Sequence, residues 1–232
     1  MKTEPKRVLV RIDDLGIYDP WTTKFISTLC SAGIHVSCGV VPLWLTNSCG
    51  NSLIDLAVSF PACMEVHQHG YSHNNQSASE EKYEFGPGRK TDEELKEILD
   101  GRRILEDAFG RLFYPAFSPA FGWCDLNLTA LLVDAGFTVV SGIKGAVIPS
   151  KIQMFSPDVD CFLWDPIRER QWEEIVLDWQ SRRDANFGGI VLHPRLMTGE
   201  SMEFYSNQLP LLLENTRSLT FAQLMVASSI EL

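Results

Sequence analysis

The chain has 232 residues, 45% of them hydrophobic, which is enough apolar material to bury a full core in one domain spanning 1–232. A formal charge of -10 argues against nucleic acid or an anionic membrane surface, both of which demand clustered Lys and Arg, so neither is expected as a partner. The apolar run behind the amino terminus breaks at Arg11, short of a signal segment or a spanning helix, and six cysteines without a Cys-x-x-Cys pair point to a reducing, cytoplasmic setting.

Short apolar strands alternate with amphipathic segments of helical length, the pattern of a parallel sheet with helical crossovers. Residues 7–13 form the first strand, and a helix begins after Pro20 and stops at Gly33. Residues 35–41 give the second strand, 46–50 a polar loop, 51–60 a short helix and 63–69 the third strand. Residues 74–90, rich in Asn, Ser, Glu and Gly, read as a long loop above the strand ends. Thr91 followed by Glu94 has capping-box spacing and opens a helix that runs to Gly110. Strands over 114–117 and 138–141 flank a helix over 125–135. Then come a sixth strand over 161–164, a helix over 172–185, a seventh strand over 189–193, a helix over 201–216 and a last strand over 219–224. The sum is an α/β fold, a distorted TIM-like (β/α)7-8 barrel, with an open doubly wound sheet as the other topology; both put sites at the carboxyl ends of strands.

That rule gathers the polar residues of the chain in one place. Three of the five histidines lie in His67-Gln68-His69-Gly70-Tyr71-Ser72-His73, and His69 and His73, four apart, can face one metal ion. Asp13-Asp14 end the first strand and can add a carboxylate, although adjacent acids there more often make a solvated turn or a helix cap. His67 shares a strand face with His69 and could be a third ligand, a partner that orients a ligand, or a packed residue; the last two are favoured. Ser118-Pro119, Trp164-Asp165 and His193 also follow strands, while Trp123 either lines a substrate groove or is buried. A strand-end histidine such as His193 is more often a hydrogen-bonded core residue than a catalyst, and only its neighbours promote it. Two histidines and a carboxylate suit zinc first, and also iron, cobalt or nickel.

In chain order, Asp13-Asp14, the His-x-x-x-His of residues 69–73, a Pro-containing segment near mid-chain and Leu192-His193 resemble the polysaccharide deacetylase family, the NodB-like or family 4 carbohydrate esterases, between Val8 and Leu224. His69-Gly70-Tyr71-Ser72-His73, Glu84-Phe85 and Phe117-Ser118-Pro119 resemble a divergent branch with a His-Gly-Tyr-x-His motif. The resemblance implies that Asp13 is the general base, that Asp14, His69 and His73 hold one divalent metal ion, and that His193 is the general acid. The implied activity is hydrolysis of an acetyl group from an N-acetylated sugar or related amide, small molecule or oligosaccharide, by a water that the metal activates. The tryptophan motif is matched by Trp164-Asp165 or by Asp178-Trp179, the former preferred because it ends a strand. Two positions depart from the family pattern. Arg11-Ile12 stands where Thr-Phe is usual, and the mid-chain arginine is missing, so either another cation, Arg11 or Arg195, takes its place beside Asp13 or the site works differently. Two alternatives accompany this expectation: a catalytically inactive carbohydrate-binding relative, and an iron(II) oxygenase built on the same two histidines and carboxylate.

Overall fold

The computed structural model describes residues 5–78, 80–123, 125–142, 151–182 and 185–229. Cys124, one of the six cysteines, lies outside them. Strand β1 (Lys6–Leu15) leads to helix α1 (Pro20–Ser31), β2 (Val36–Val40), α2 (Asn47–Ser59), β3 (Met64–His69), α3 (Thr91–Phe109), β4 (Phe113–Ser118), α4 (Leu126–Asp134) and the short β5 (Val139–Val140) and β6 (Gln153–Met154). Then follow β7 (Val159–Asp160), β8 (Phe162–Trp164), β9 (Ile167–Glu169), α5 (Trp172–Gln180), β10 (Phe187–Leu192), α6 (Gly199–Leu212), β11 (Thr216–Ser218) and α7 (Phe221–Ser229).

The main sheet is parallel in the order β6-β5-β4-β3-β2-β1-β10-β7, with β11 joined to the start of β1. Among the described residues it curls without closing: β6 and β7 are its two ends. This is the distorted, incomplete form of the barrel expected from the alternation of strands and helices.

The curl gives each strand a convex and a concave face. On β1, Val8, Val10 and Ile12 belong to the cluster that also holds Phe25, Ile26 and Leu29 of α1 and Tyr205 and Leu209 of α6. Leu9, on the opposite side, packs with Phe221 and Leu224 of α7 and with Ala116 and Val139. Side chains alternate along a strand, so Arg11 and Asp13 share the inner face with Leu9. On β3 the same alternation sends Met64 and Val66 outward and Glu65, His67 and His69 inward, with all six residues buried. The interior is therefore apolar at the amino-terminal end, where α7 fills it, and polar at the carboxyl end.

Several element limits differ from the sequence expectation, for local reasons. Helix α2 begins inside the expected 46–50 loop because Thr46 caps it, accepting a hydrogen bond from the Cys49 amide. Thr91 and Glu94 form no capping box, since Glu94 accepts from the Gly86 amide instead. Residues 162–164 do not join the main sheet; β8 and β9 pair as an antiparallel hairpin, and Val159–Asp160 supplies the parallel strand beside β10. Helix α5 ends at Gln180 rather than 185 and α6 spans 199–212 rather than 201–216. Residues 221–229 are helical where a strand over 219–224 was expected, because the Glu65 carboxylate accepts the Phe221 and Ala222 amides and caps α7 from across the interior.

Candidate metal centre

Two adjacent acids on a regular strand point to opposite faces. At Asp13 and Asp14 the strand is not regular: Ile12 pairs with Cys38 and Leu15 with Val40, so β1 carries one more residue than β2 across that interval. This bulge, with Asp14 at a positive φ of 63°, brings both carboxylates to one site. His73 also takes a positive φ, 58°, so two of the three candidate ligands sit in backbone that non-glycine residues rarely adopt.

Asp14, His69 and His73 offer one donor atom each, all within 4.8 Å of one another. Asp14 Oδ1 lies 3.2 Å from His69 Nε2 and 3.1 Å from His73 Nε2. Donors bound to one ion at about 2.1 Å stand about 3.0–3.4 Å apart, so these separations fit a shared cation. The other ring nitrogen of His69, Nδ1, is held by the Ser118 hydroxyl and carbonyl at 2.8 and 3.1 Å, which directs Nε2 toward Asp14.

Asp13 is almost wholly buried, and Arg11 Nη2 lies 2.9 Å from its Oδ2. Arg11 is fixed in turn by Nη1, which donates to the Ser141 carbonyl at 2.6 Å and hydroxyl at 2.7 Å. Burial alone would raise the Asp13 pKa, but Arg11 and then His69 and His193 outweigh it and hold the carboxyl below its ordinary range. Of the two cations considered for this place, Arg11 occupies it; Arg195 stacks its guanidinium on Trp44 at 4.2 Å. Gly39 of β2 leaves the space Asp13 needs, because a Cβ there would lie 2.7 Å from Asp13 Oδ1.

His193 follows β10, with Nδ1 3.4 Å from Asp14 Oδ2 and Nε2 3.4 Å from Asp160 Oδ1. Burial would depress its pKa, yet the Asp14 and Asp160 carboxylates outweigh this and carry it up to about 10. The Trp164 ring, 50% exposed, stands edge-on to His193 at 4.9 Å, and its Nε1 donates to Asp160 Oδ2 at 2.7 Å. His67 is fully buried, bonded to the Ser118 hydroxyl at 2.9 Å and edge-on to Phe221; burial pushes its pKa down to about 3, so it is neutral and one layer below the cluster. Pro119 opens a short turn in which Phe121 stacks on His73 at 4.7 Å. Trp123 packs on Tyr83 at 5.6 Å. Asp165 is exposed in the turn between β8 and β9.

The acid beside His193 is thus Asp160, which sequence analysis missed. Its strand is only two residues long, too short for an alternation signal. Ser141 and Gly39 were missed too, and Glu84 was named only as part of a motif, without a role. A glycine inside a short buried strand, as in Val36–Val40, was the one available cue to close backbone approach.

Asp14, His69 and His73 can hold a cation. Asp13, whose carboxyl is held below its ordinary range, and His193, whose pKa two carboxylates raise, stand beside them, an arrangement suited to moving protons in hydrolysis. The profile of the family described as polysaccharide deacetylase matches residues 1–140. The peptidoglycan deacetylase PdaC from Bacillus subtilis superposes with a TM-score of 0.62 at 18% identity, covering 98% of this chain and 93% of its own. A family 4 acetyl xylan esterase from Clostridium thermocellum, in complex with cobalt, gives 0.65 at 16% identity, covering 97% and 92%. BA3943, a CE4 family pseudoenzyme from Bacillus anthracis, gives 0.58 at 14% identity, covering 94% and 64%. A search of curated protein sequences returned no match.

Proposed function

The chain belongs to the polysaccharide deacetylase family, and from that premise we propose that it is a metal-dependent hydrolase removing an acetyl group from an N-acetylated sugar or a related amide. We place it in a branch marked by the His-Gly-Tyr-x-His of residues 69–73. The observation that carries the proposal is the set of donors from Asp14, His69 and His73 with Asp13 and His193 beside it.

The chemistry a divalent ion supplies in such a donor set is Lewis acidity, which lowers the pKa of a water and polarises an acyl carbonyl. Zinc suits two imidazoles and a carboxylate best, and cobalt, iron and nickel fit the same donors. Asp13, ionised and held by the Arg11 guanidinium, accepts the proton of the attacking water. His193, carrying its proton between Asp14 and Asp160, donates it to the departing nitrogen, so that acetate and a free amine leave. The exposed face of Trp164 beside His193 offers a surface on which a sugar ring can stack.

The similarity to a CE4 pseudoenzyme favours one other reading, an inactive carbohydrate-binding relative. The ion pair of Arg11 with Asp13 weighs against it, since it restores beside the base the cation that the mid-chain motif lacks. An iron(II) oxygenase is disfavoured by the parallel βα sheet and leaves His193 without a task.

Metal content and turnover of three variants test the assignment. Asp14→Ala loses metal and activity together, whereas Asp13→Asn keeps the metal and loses turnover. Tight metal retention by the His69→Ala His73→Ala double variant contradicts the ligand set.

A further inference from the structure

We propose that Glu84 is a positioning residue for the candidate metal centre, its buried carboxylate clamping the loop of residues 70–73 in the conformation that turns His73 toward Asp14 and His69. The proposal rests on reading Asp14, His69 and His73 as metal ligands.

His69 ends a strand, and the chain must double back within four residues to present His73 to the same point. It does so through positive φ angles at Gly70, 59°, and His73, 58°. The backbone amides of the residues between them then form a concavity that calls for an anion. Glu84 fills it. Its Oε2 accepts from the Tyr71 amide at 3.0 Å, and its Oε1 accepts from the Ser72 amide at 2.6 Å, the His73 amide at 2.9 Å and the Ser72 hydroxyl at 2.8 Å. The side chain is 1% exposed.

The fit is specific on each side. A Cβ at position 70 would run into the Glu84 carboxylate, so space as well as φ demands glycine there. The Gln68 amide donates to the Gly70 carbonyl at 2.9 Å and to the Ile98 carbonyl at 3.3 Å, tying the loop to α3. Glu84 is anchored to the same helix by Arg89, which donates to the Glu84 carbonyl at 3.0 Å and to both Glu97 carboxylate oxygens. The stretch 74–90, read from sequence as a loop above the site, thus delivers a carboxylate under the ligand loop. A glutamine at 84 could offer one acceptor oxygen, but its amino group would face donors that need acceptors.

The test compares wild type, Glu84→Gln and His73→Ala in metal-free form and under titration with Co(II) and Zn(II) against a chromophoric chelator. Glu84→Gln should bind both ions about 10- to 100-fold more weakly and show an altered Co(II) visible spectrum, while its metal-free melting temperature stays within a few degrees of wild type. If that variant does not fold, Ser72→Ala, which removes one of the four hydrogen bonds, should still weaken binding severalfold. Wild-type affinity and spectrum in Glu84→Gln, or wild-type affinity in Ser72→Ala where it is the variant used, overturns the proposal. A wild type that binds no more tightly than His73→Ala overturns the ligand assignment itself.

Discussion

The Arg11 guanidinium lies 2.9 Å from the Asp13 carboxylate, both on the inner face of β1 and both almost wholly out of water. Two residues apart on one strand, they form a pair that needs no second element to bring the cation to the acid. Removing one member of a buried pair leaves the other charge uncompensated. Arg11→Met should therefore cost about 3 kcal/mol of stability, and Arg11→Met with Asp13→Asn should cost less than Arg11→Met alone. Denaturant unfolding of the two single variants and the double variant measures this; strictly additive losses would show that the two side chains do not interact.

Gly39 gives the most local prediction. Alanine there puts a methyl group 2.7 Å from Asp13 Oδ1 and 3.1 Å from His67 Nε2, so the nearest atoms that must shift belong to these two side chains and not to Asp14, His69 or His73. Gly39→Ala should keep its metal and lose about 100-fold in kcat, the cost of a misplaced reacting group. Metal analysis beside steady-state kinetics checks it, and an active Gly39→Ala protein would remove Asp13 from the role of base.

The order of strands and helices was legible because the apolar runs are short and regularly spaced. The convergence of Asp14, His69 and His73 was legible because two of the three lie four residues apart on one loop. What escaped were features set by distant contacts. Residues 221–229 fold as a helix whose cap is Glu65, 156 positions away from Phe221, and no local signal announces that partner. Asp160 was hidden because the apolar run Cys161-Phe162-Leu163-Trp164 carries the strand signal, while the sheet pairing belongs to the two residues before it. Arg11 was considered but not chosen over Arg195, since only the strand face, visible in three dimensions, separates them.

Glu65 carries a prediction about pH. Burial raises its pKa above the ordinary 4.5, and the hydrogen bonds from Ser37, Ala222 and Phe221 only partly oppose this. An acid with a raised folded-state pKa contributes stability that is fully present below its unfolded pKa and is lost as pH rises through the folded value. Glu65→Gln removes that loss, so the stability difference between wild type and variant should shift in favour of the variant as pH rises above 4.5. Unfolding curves of both proteins between pH 4 and 8 read it; parallel pH profiles would show that Glu65 titrates as it does in the unfolded chain.

Acetate release from N-acetylated chito-oligosaccharides and monosaccharides, by the protein as purified, after chelation and after metal is restored, tests the central claim most directly. Metal-dependent deacetylation predicts one new amine for each acetate, no release after chelation, recovery on adding zinc or cobalt, and none from Asp13→Asn with its metal in place. A metal-loaded wild type that binds these sugars and frees no acetate would contradict it and identify an inactive member of the family.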